Sequence, residues 1–219
     1  MKRLPRILLC TALAAAAWCG GARAQTATNP NLNAQLLVAA RQGDVDAVER
    51  ALARGASAAS RNRLGKTALL MAAEKGHTAL AERMLAAGGD VNQASLEGVT
   101  PLMAAAYGGH AVLARRLLDA GARVEPVDRM KKPAMVYAAA QGHAAVVVLL
   151  IERGVPVDAP FEHALTALMW AAGQGQVEAV QVLLARGANV ELRDDRGLTA
   201  AQIARQAGHE ALAQQLVRR

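Results

Sequence analysis

The chain has 219 residues, 25 of them basic and 18 acidic, for a formal net charge of +7. Lys2, Arg3, Arg6 and Arg23 fall in the first 24 residues with no acid beside them, so the remainder holds 21 basic and 18 acidic side chains and a net charge of +3. So small an excess argues against the strongly basic surface of a nucleic-acid binder, and because Cys10 and Cys19 both lie in the same opening segment, the rest lacks thiol catalysis, cysteine metal sites and disulfides.

That opening segment reads as a leader. Residues 1–6 are basic, residues 7–18 form an apolar run of 12, and Ala22-Arg23-Ala24 follows a Cys-Gly-Gly stretch. A basic start, a short apolar core and an A-x-A site are the three parts of a Sec-type signal peptide. A membrane-spanning helix needs about 20 residues, so residues 1–24 are predicted to be cleaved after Ala24, with an uncleaved anchor as the alternative. A lipid-attachment site at Cys19 would need a small residue before it, and Trp18 is bulky. The mature chain would begin at Gln25, run through a short linker at 25–30 and be periplasmic or secreted, with no stable membrane insertion.

From residue 31 onward the chain repeats itself. Gly43, Gly76, Gly109, Gly142, Gly175 and Gly208 stand 33 residues apart, and Gly55, Gly88, Gly121, Gly154 and Gly187 keep the same step. Ala39, Ala72, Ala105, Ala138, Ala171 and Ala204 hold it too, as do Leu52, Leu85, Leu118, Ile151, Leu184 and Val217. A period of this length marks a stack of supersecondary units. The six copies fall at about 31–60, 61–93, 94–126, 127–159, 160–192 and 193–219.

Each copy predicts two short helices and a loop. In copy three Thr100 can cap the first helix, with Pro101 at its first position, where a missing N–H costs nothing. Gly109 then ends that helix in the left-handed conformation. A second helix is expected over about 110–120, ended by Gly121. Helical spacing turns Leu102, Ala105 and Ala106 inward, and likewise Val112, Leu113, Leu117 and Leu118. Small alanines let neighbouring first helices approach closely. Copy one lacks the opening of the others and copy six stops after its second helix, as the water-facing ends of a stack require.

These residues resemble the ankyrin repeat. Gly98-Val-Thr-Pro-Leu-Met-Ala-Ala-Ala-Tyr-Gly-Gly-His is similar to the family pattern G-x-T-P-L-H-x-A-A-x-x-G-H, and Leu117-Leu118-Asp119-Ala120-Gly121-Ala122 to L-L-x-x-G-A. Copies two and five carry the same marks in Gly65-Lys-Thr-Ala-Leu and in Thr166-Ala-Leu-Met-Trp-Ala-Ala. The resemblance spans 31–219 and implies an all-α ankyrin-repeat solenoid that binds another protein through a concave face. It is similar in particular to bacterial periplasmic or secreted members, which implies an adaptor or support for an exported enzyme. An inhibitor or immunity-type binder, or a secreted effector, is the alternative role.

The departures from the pattern are specific. Leu70, Met103, Val136, Met169 and Gln202 stand where the family has histidine, so its hydrogen bonds must be absent or replaced. Copy four has Lys131-Lys132-Pro133 in place of Gly-x-Thr, and copy five has Ala164 in place of the glycine. Irregular loops are expected at both places.

Little in the sequence points to catalysis. No G-x-S-x-G, phosphate loop or H-E-x-x-H is present, so a non-enzyme without cofactor is expected. His77, His110, His143 and His209 share one repeat position. Successive helices pack roughly 8–10 Å apart, too far for neighbouring histidines to share a zinc ion whose ligand nitrogens lie at about 2 Å. Each is expected to start a second helix and bond locally.

Binding is the remaining function, and the register places it. On the first helices the unburied face would carry Glu74 and Lys75, Tyr107, Tyr137 and Gln141, and Trp170 and Gln174. The loop tips add Arg63 and Lys66, Leu96 and Glu97, Arg129 and Met130, and Phe161 and His163. By the resemblance, face and tips line the groove that grips a partner, with the chain itself a monomer. Tyr107, Tyr137, Phe161 and Trp170 are the four aromatics outside the leader, and such residues anchor interfaces. Packing against neighbouring repeats is equally open to Tyr137 and Trp170.

Overall fold

A computed structural model describes residues 30–218, so the predicted leader at 1–24 and most of the linker lie outside the described residues. The described residues fold into twelve α-helices taken as six hairpins: α1 (Pro30–Gln42) with α2 (Val45–Ala53), α3 (Ala68–Lys75) with α4 (Thr78–Ala86), and α5 (Pro101–Tyr107) with α6 (Ala111–Asp119). Then come α7 (Ala134–Ala140) with α8 (Ala144–Glu152), α9 (Ala167–Gly173) with α10 (Val177–Ala185), and α11 (Ala200–Gln206) with α12 (Glu210–Val217). The first helices pack on one another in chain order from α1 to α11, and the second helices from α2 to α10 form a parallel layer behind them. No strand forms among the described residues. The all-α solenoid expected from the repeats is the observed architecture.

Residue size sets the two layers apart. Ala72, Ala73, Ala105, Ala106, Ala138, Ala139, Ala171 and Ala172 are fully buried where first helix meets first helix. Between the layers, Leu80, Met84, Leu113, Leu117, Val146 and Leu150 fill the wider space and are equally buried. Val112 departs from expectation. It was placed inward with Leu113, yet it is 68% exposed. Helix α6 buries Leu113 and Leu117, while Val112 lies off that face and lines an outer hollow with Arg115, Ala145 and Leu149.

Caps start the first helices. The hydroxyls of Thr67, Thr100, Thr166 and Thr199 accept from the N–H groups of Leu70, Met103, Met169 and Gln202 at 3.2–3.4 Å. At three of these helices the side chain in the family's histidine position reaches back. Gln202 Oε1 accepts from the Thr199 N–H at 2.9 Å, and the sulfurs of Met103 and Met169 accept from Thr100 and Thr166 at 3.5 Å. The lost histidine bonds are replaced there, and left unreplaced by Leu70 and Val136.

The histidines do not bond locally as expected. Each ring crosses to the preceding copy, where a Cβ added to Gly76 would lie 2.6 Å from His110 Nδ1 and one on Gly109 2.5 Å from His143 Nδ1. His143 Nε2 donates to the Tyr107 carbonyl at 2.9 Å, and Gln176, in the same register, donates to the Ala140 carbonyl at 3.1 Å. The absence of a side-chain cap at His77, His110, His143 and His209 frees the rings for this bridge.

The loop entering copy four is also not irregular. Lys131 adopts φ 55° where Gly65, Gly98 and Gly197 adopt 72–80°. Asp128 supplies what the missing glycine and threonine do not. Its Oδ1 accepts from the Met130 and Lys132 N–H groups at 2.9 Å, as Asn62 does from Leu64 and Lys66 and Asp194 from Arg196 and Leu198. Copy five has Phe161 in that register, with no oxygen to offer, and its loop collapses into a 3-10 turn with His163 and Ala164 at φ 60° and 56°. There the expected irregularity is present.

Candidate protein-binding face

The unburied side of the first helices and the loop tips beside it carry three hollows in a row. The first, of about 380 Å3, is lined by Glu74, Lys75, Val99, Met103, Ala104, Tyr107 and Tyr137. The second, of about 400 Å3, lies between the tips of copies four and five and is walled by Met130, Lys131, Lys132, Val136, Phe161, Glu162, His163, Leu165 and Trp170. The third, of about 320 Å3, continues past Trp170 to Gln174, Arg196 and Ile203. A larger hollow of about 650 Å3 faces outward from α1 and α2, away from this row.

The aromatics divide into different tasks. Tyr107 is 56% exposed, with its ring edge-on to Tyr137, centroids 5.8 Å apart at 82°. Tyr137 is half-buried and its hydroxyl donates to Asp128 Oδ2. Burial, and then the Asp128 carboxylate, hold its phenol proton far above the ordinary range. It thereby ties α7 to its own loop, while Tyr107 is left with a free face. Trp170 is half-buried beneath the Lys132 ammonium, 4.9 Å from the ring centroid. Its indole N–H is covered and has no acceptor among the described residues, an omission that typically costs about 1–3 kcal/mol.

The loop tips are joined copy to copy. Leu96 N–H donates to the Leu64 carbonyl at 3.0 Å, Arg129 N–H to that of Glu97 at 3.0 Å, and Asp195 N–H to that of His163 at 3.1 Å. Between copies four and five, the irregular turn removes this bond, and the Lys131–Glu162 ion pair at 3.1 Å spans the gap instead. Arg129 pairs with Glu97 at 3.1 Å and Lys66 with Glu74 at 2.5 Å. In copy six, burial pushes the Asp194 carboxyl up, but the N–H groups of Leu198 and Arg196 and the Arg196 guanidinium outweigh it and hold the carboxyl below its ordinary value.

The residues singled out in sequence thus sort into groups. Glu74, Lys75, Tyr107 and Tyr137 share the first hollow, and Met130, Phe161, His163 and Trp170 the second. Gln174 lines the third. Arg63, Leu96 and Gln141 are exposed but line none of the three, and Lys66, Glu97 and Arg129 are engaged in ion pairs. Sequence reasoning missed Asp128 and Lys132. The signal for Asp128 was present, since it stands 66 residues from both Asn62 and Asp194. Among the described residues no group of three or more His, Cys, Asp or Glu is placed to hold a metal ion, and no helix is long and apolar enough to cross a membrane.

The chemistry offered is therefore contact: hollows, one exposed tyrosine and charged tips on a rigid two-layer stack. A family model described as ankyrin repeats (3 copies) matches at residues 36–128, 78–161 and 135–219, together nearly the whole described chain. The chain belongs to the ankyrin-repeat family. No curated protein matches it in sequence. Ankyrin repeats generally mediate protein–protein interaction and are typically non-catalytic binding modules.

Proposed function

We propose that this ankyrin protein is an exported, non-catalytic binding protein that holds a partner protein across copies three to five. The observation that carries the reading is Tyr107, 56% exposed in the lining of the first hollow on the first-helix face. Export rests on the basic start, the apolar run of 12 and the Ala22-Arg23-Ala24 site. In that setting the partner is an exported protein, and the stack, acting as a monomer, supports an enzyme of the cell envelope.

The test begins with affinity capture of partners from a periplasmic extract, identified by mass spectrometry. Titration then compares variants. Truncating an anchor aromatic typically costs about 2 kcal/mol or more, or roughly 30-fold in affinity. Tyr107→Ala is expected to show that loss. Glu178→Ala, exposed on α10 of the other layer, is expected to bind within about twofold of wild type, as changes away from an interface do. Equal binding by Tyr107→Ala, with weakening by second-helix variants, would move the partner to the opposite side. Activity of the captured enzyme with and without the stack separates support from inhibition. For export, N-terminal sequencing of the protein from the periplasmic fraction is expected to begin at Gln25, and an intact Met1 on cytosolic protein would contradict it.

A further inference from the structure

The hollow between the tips of copies four and five differs from its neighbours in what it leaves unmatched. Arg129 is spent on Glu97 and Lys131 on Glu162, while His163 stands 3.7 Å from Asp195. Lys132 has no acid within ion-pair distance among the described residues, and its ammonium rests on the Trp170 ring alone. The neighbouring indole N–H lacks an acceptor as well. Beside these two donors lies an apolar wall of Phe161, Leu165, Val136 and Met130, the last 61% exposed. Around the rim Lys131 and Lys132 outnumber Glu162, so the local field favours an anion.

We infer that this hollow is a subsite for an acidic, apolar segment of the partner protein: a bulky apolar side chain enters against Phe161 and Trp170 while a flanking carboxylate takes the Lys132 ammonium. The volume of about 400 Å3 admits one large side chain together with a carboxylate. A basic segment would meet Lys132 and Lys131 with like charge. A purely apolar one would cover Lys132 without giving it a partner, and a covered unpaired charge is costly. The missing backbone link between the tips of copies four and five is what opens the space, so the departure of Phe161 and Ala164 from the repeat pattern creates the subsite. The inference rests on the proposal that this face binds a protein, and it adds the chemistry of the bound segment.

The probe is a fluorescein-labelled, end-capped peptide with one phenylalanine flanked by two aspartates, titrated against the full chain by fluorescence anisotropy. Two control peptides replace the aspartates with lysines or the phenylalanine with glycine. The acidic apolar peptide is expected to bind and to weaken as salt rises, and both controls to fail. Lys132→Glu, which turns attraction into repulsion at a half-buried position, is expected to weaken binding about tenfold or more, and Phe161→Ala to weaken it too, each with a melt matching wild type. Lys132→Gln serves if Lys132→Glu does not fold. Undiminished binding by the Lys132 variants, or equal binding of the lysine peptide, overturns the subsite. The two proposals fail separately. If Tyr107→Ala weakens the captured partner while the acidic peptide does not bind wild type, the groove stands and the subsite falls. If the peptide binds and Tyr107→Ala leaves the partner unaffected, the subsite stands and the groove falls.

Discussion

Two series of glycines in this chain look alike in sequence and do different things. Gly76 (φ 71°) and Gly88 (φ 81°) both occupy the left-handed region, where a side chain costs about 1–2 kcal/mol. Around Gly88 nothing lies within 4 Å, whereas a Cβ on Gly76 would meet the His110 ring of the next copy. Gly88→Ala is therefore expected to cost about 1–2 kcal/mol, and Gly76→Ala a further ~1 kcal/mol or more, the usual cost of overpacking. In a His110→Ala background that excess should vanish. Denaturant melts of the four proteins form a double-mutant cycle that checks it, and a coupling of zero would mean that the ring does not press on the glycine. The 33-residue step disclosed both series, but it could not separate them, because the second reason belongs to a side chain one copy away.

At the scale of the element, the loop entering copy four shows how a turn survives the loss of its usual residues. Asp128 is only 7% exposed. One carboxylate oxygen takes two backbone N–H groups and the other takes the Tyr137 hydroxyl. Asp128→Ala would strand all three donors, at about 1–3 kcal/mol for each that stays buried, so a loss of at least about 2 kcal/mol is expected in a urea melt. Asp128→Asn keeps the acceptor for the backbone, as Asn62 does in copy two, and should lose less. A melt of Asp128→Ala unchanged from wild type would show that Lys131 and Pro133 hold the turn without the side chain. Helices, their caps and the order of the hairpins were legible in the sequence, because alanine, threonine and glycine recur in step. The copy-four turn is regular despite the absence of Gly and Thr because Asp128 stands in the register of Asn62, and a missing glycine is more visible in a repeat than a carboxylate that replaces an amide. Tyr137 was open between packing and binding for a related reason: its partner Asp128 is nine residues away in the chain, and only the folded loop brings them together.

Across the whole molecule a ladder of ion pairs runs along the second layer. Glu49 pairs with Arg83 at 2.7 Å, Glu82 with Arg116 at 3.0 Å, Asp119 with Arg153 at 2.5 Å and Glu152 with Arg186 at 3.3 Å, always from one copy to the next. The regularity invites the view that charge fastens the copies, but the magnitudes oppose it. The Arg116–Glu82 pair is about half exposed on both sides, and such pairs are worth about 0–1 kcal/mol. Leu117, the next residue, is fully buried between the layers, where truncation to alanine typically costs about 2–5 kcal/mol. Because each copy touches only its neighbours, the stack is a sum of hairpins and interfaces, and a loss in copy three weakens the joint on which the face from Tyr107 to Trp170 depends. Arg116→Ala should therefore leave the melt within about 1 kcal/mol of wild type and lose that small effect in high salt. Leu117→Ala should lower it by about 2 kcal/mol or more at any salt, and weaken partner binding only under conditions where the stack begins to open. If Arg116→Ala proved the more damaging of the two, the copies would be held by the ionic ladder, and the stiffness of the binding face would depend on ionic strength rather than on the aliphatic interior.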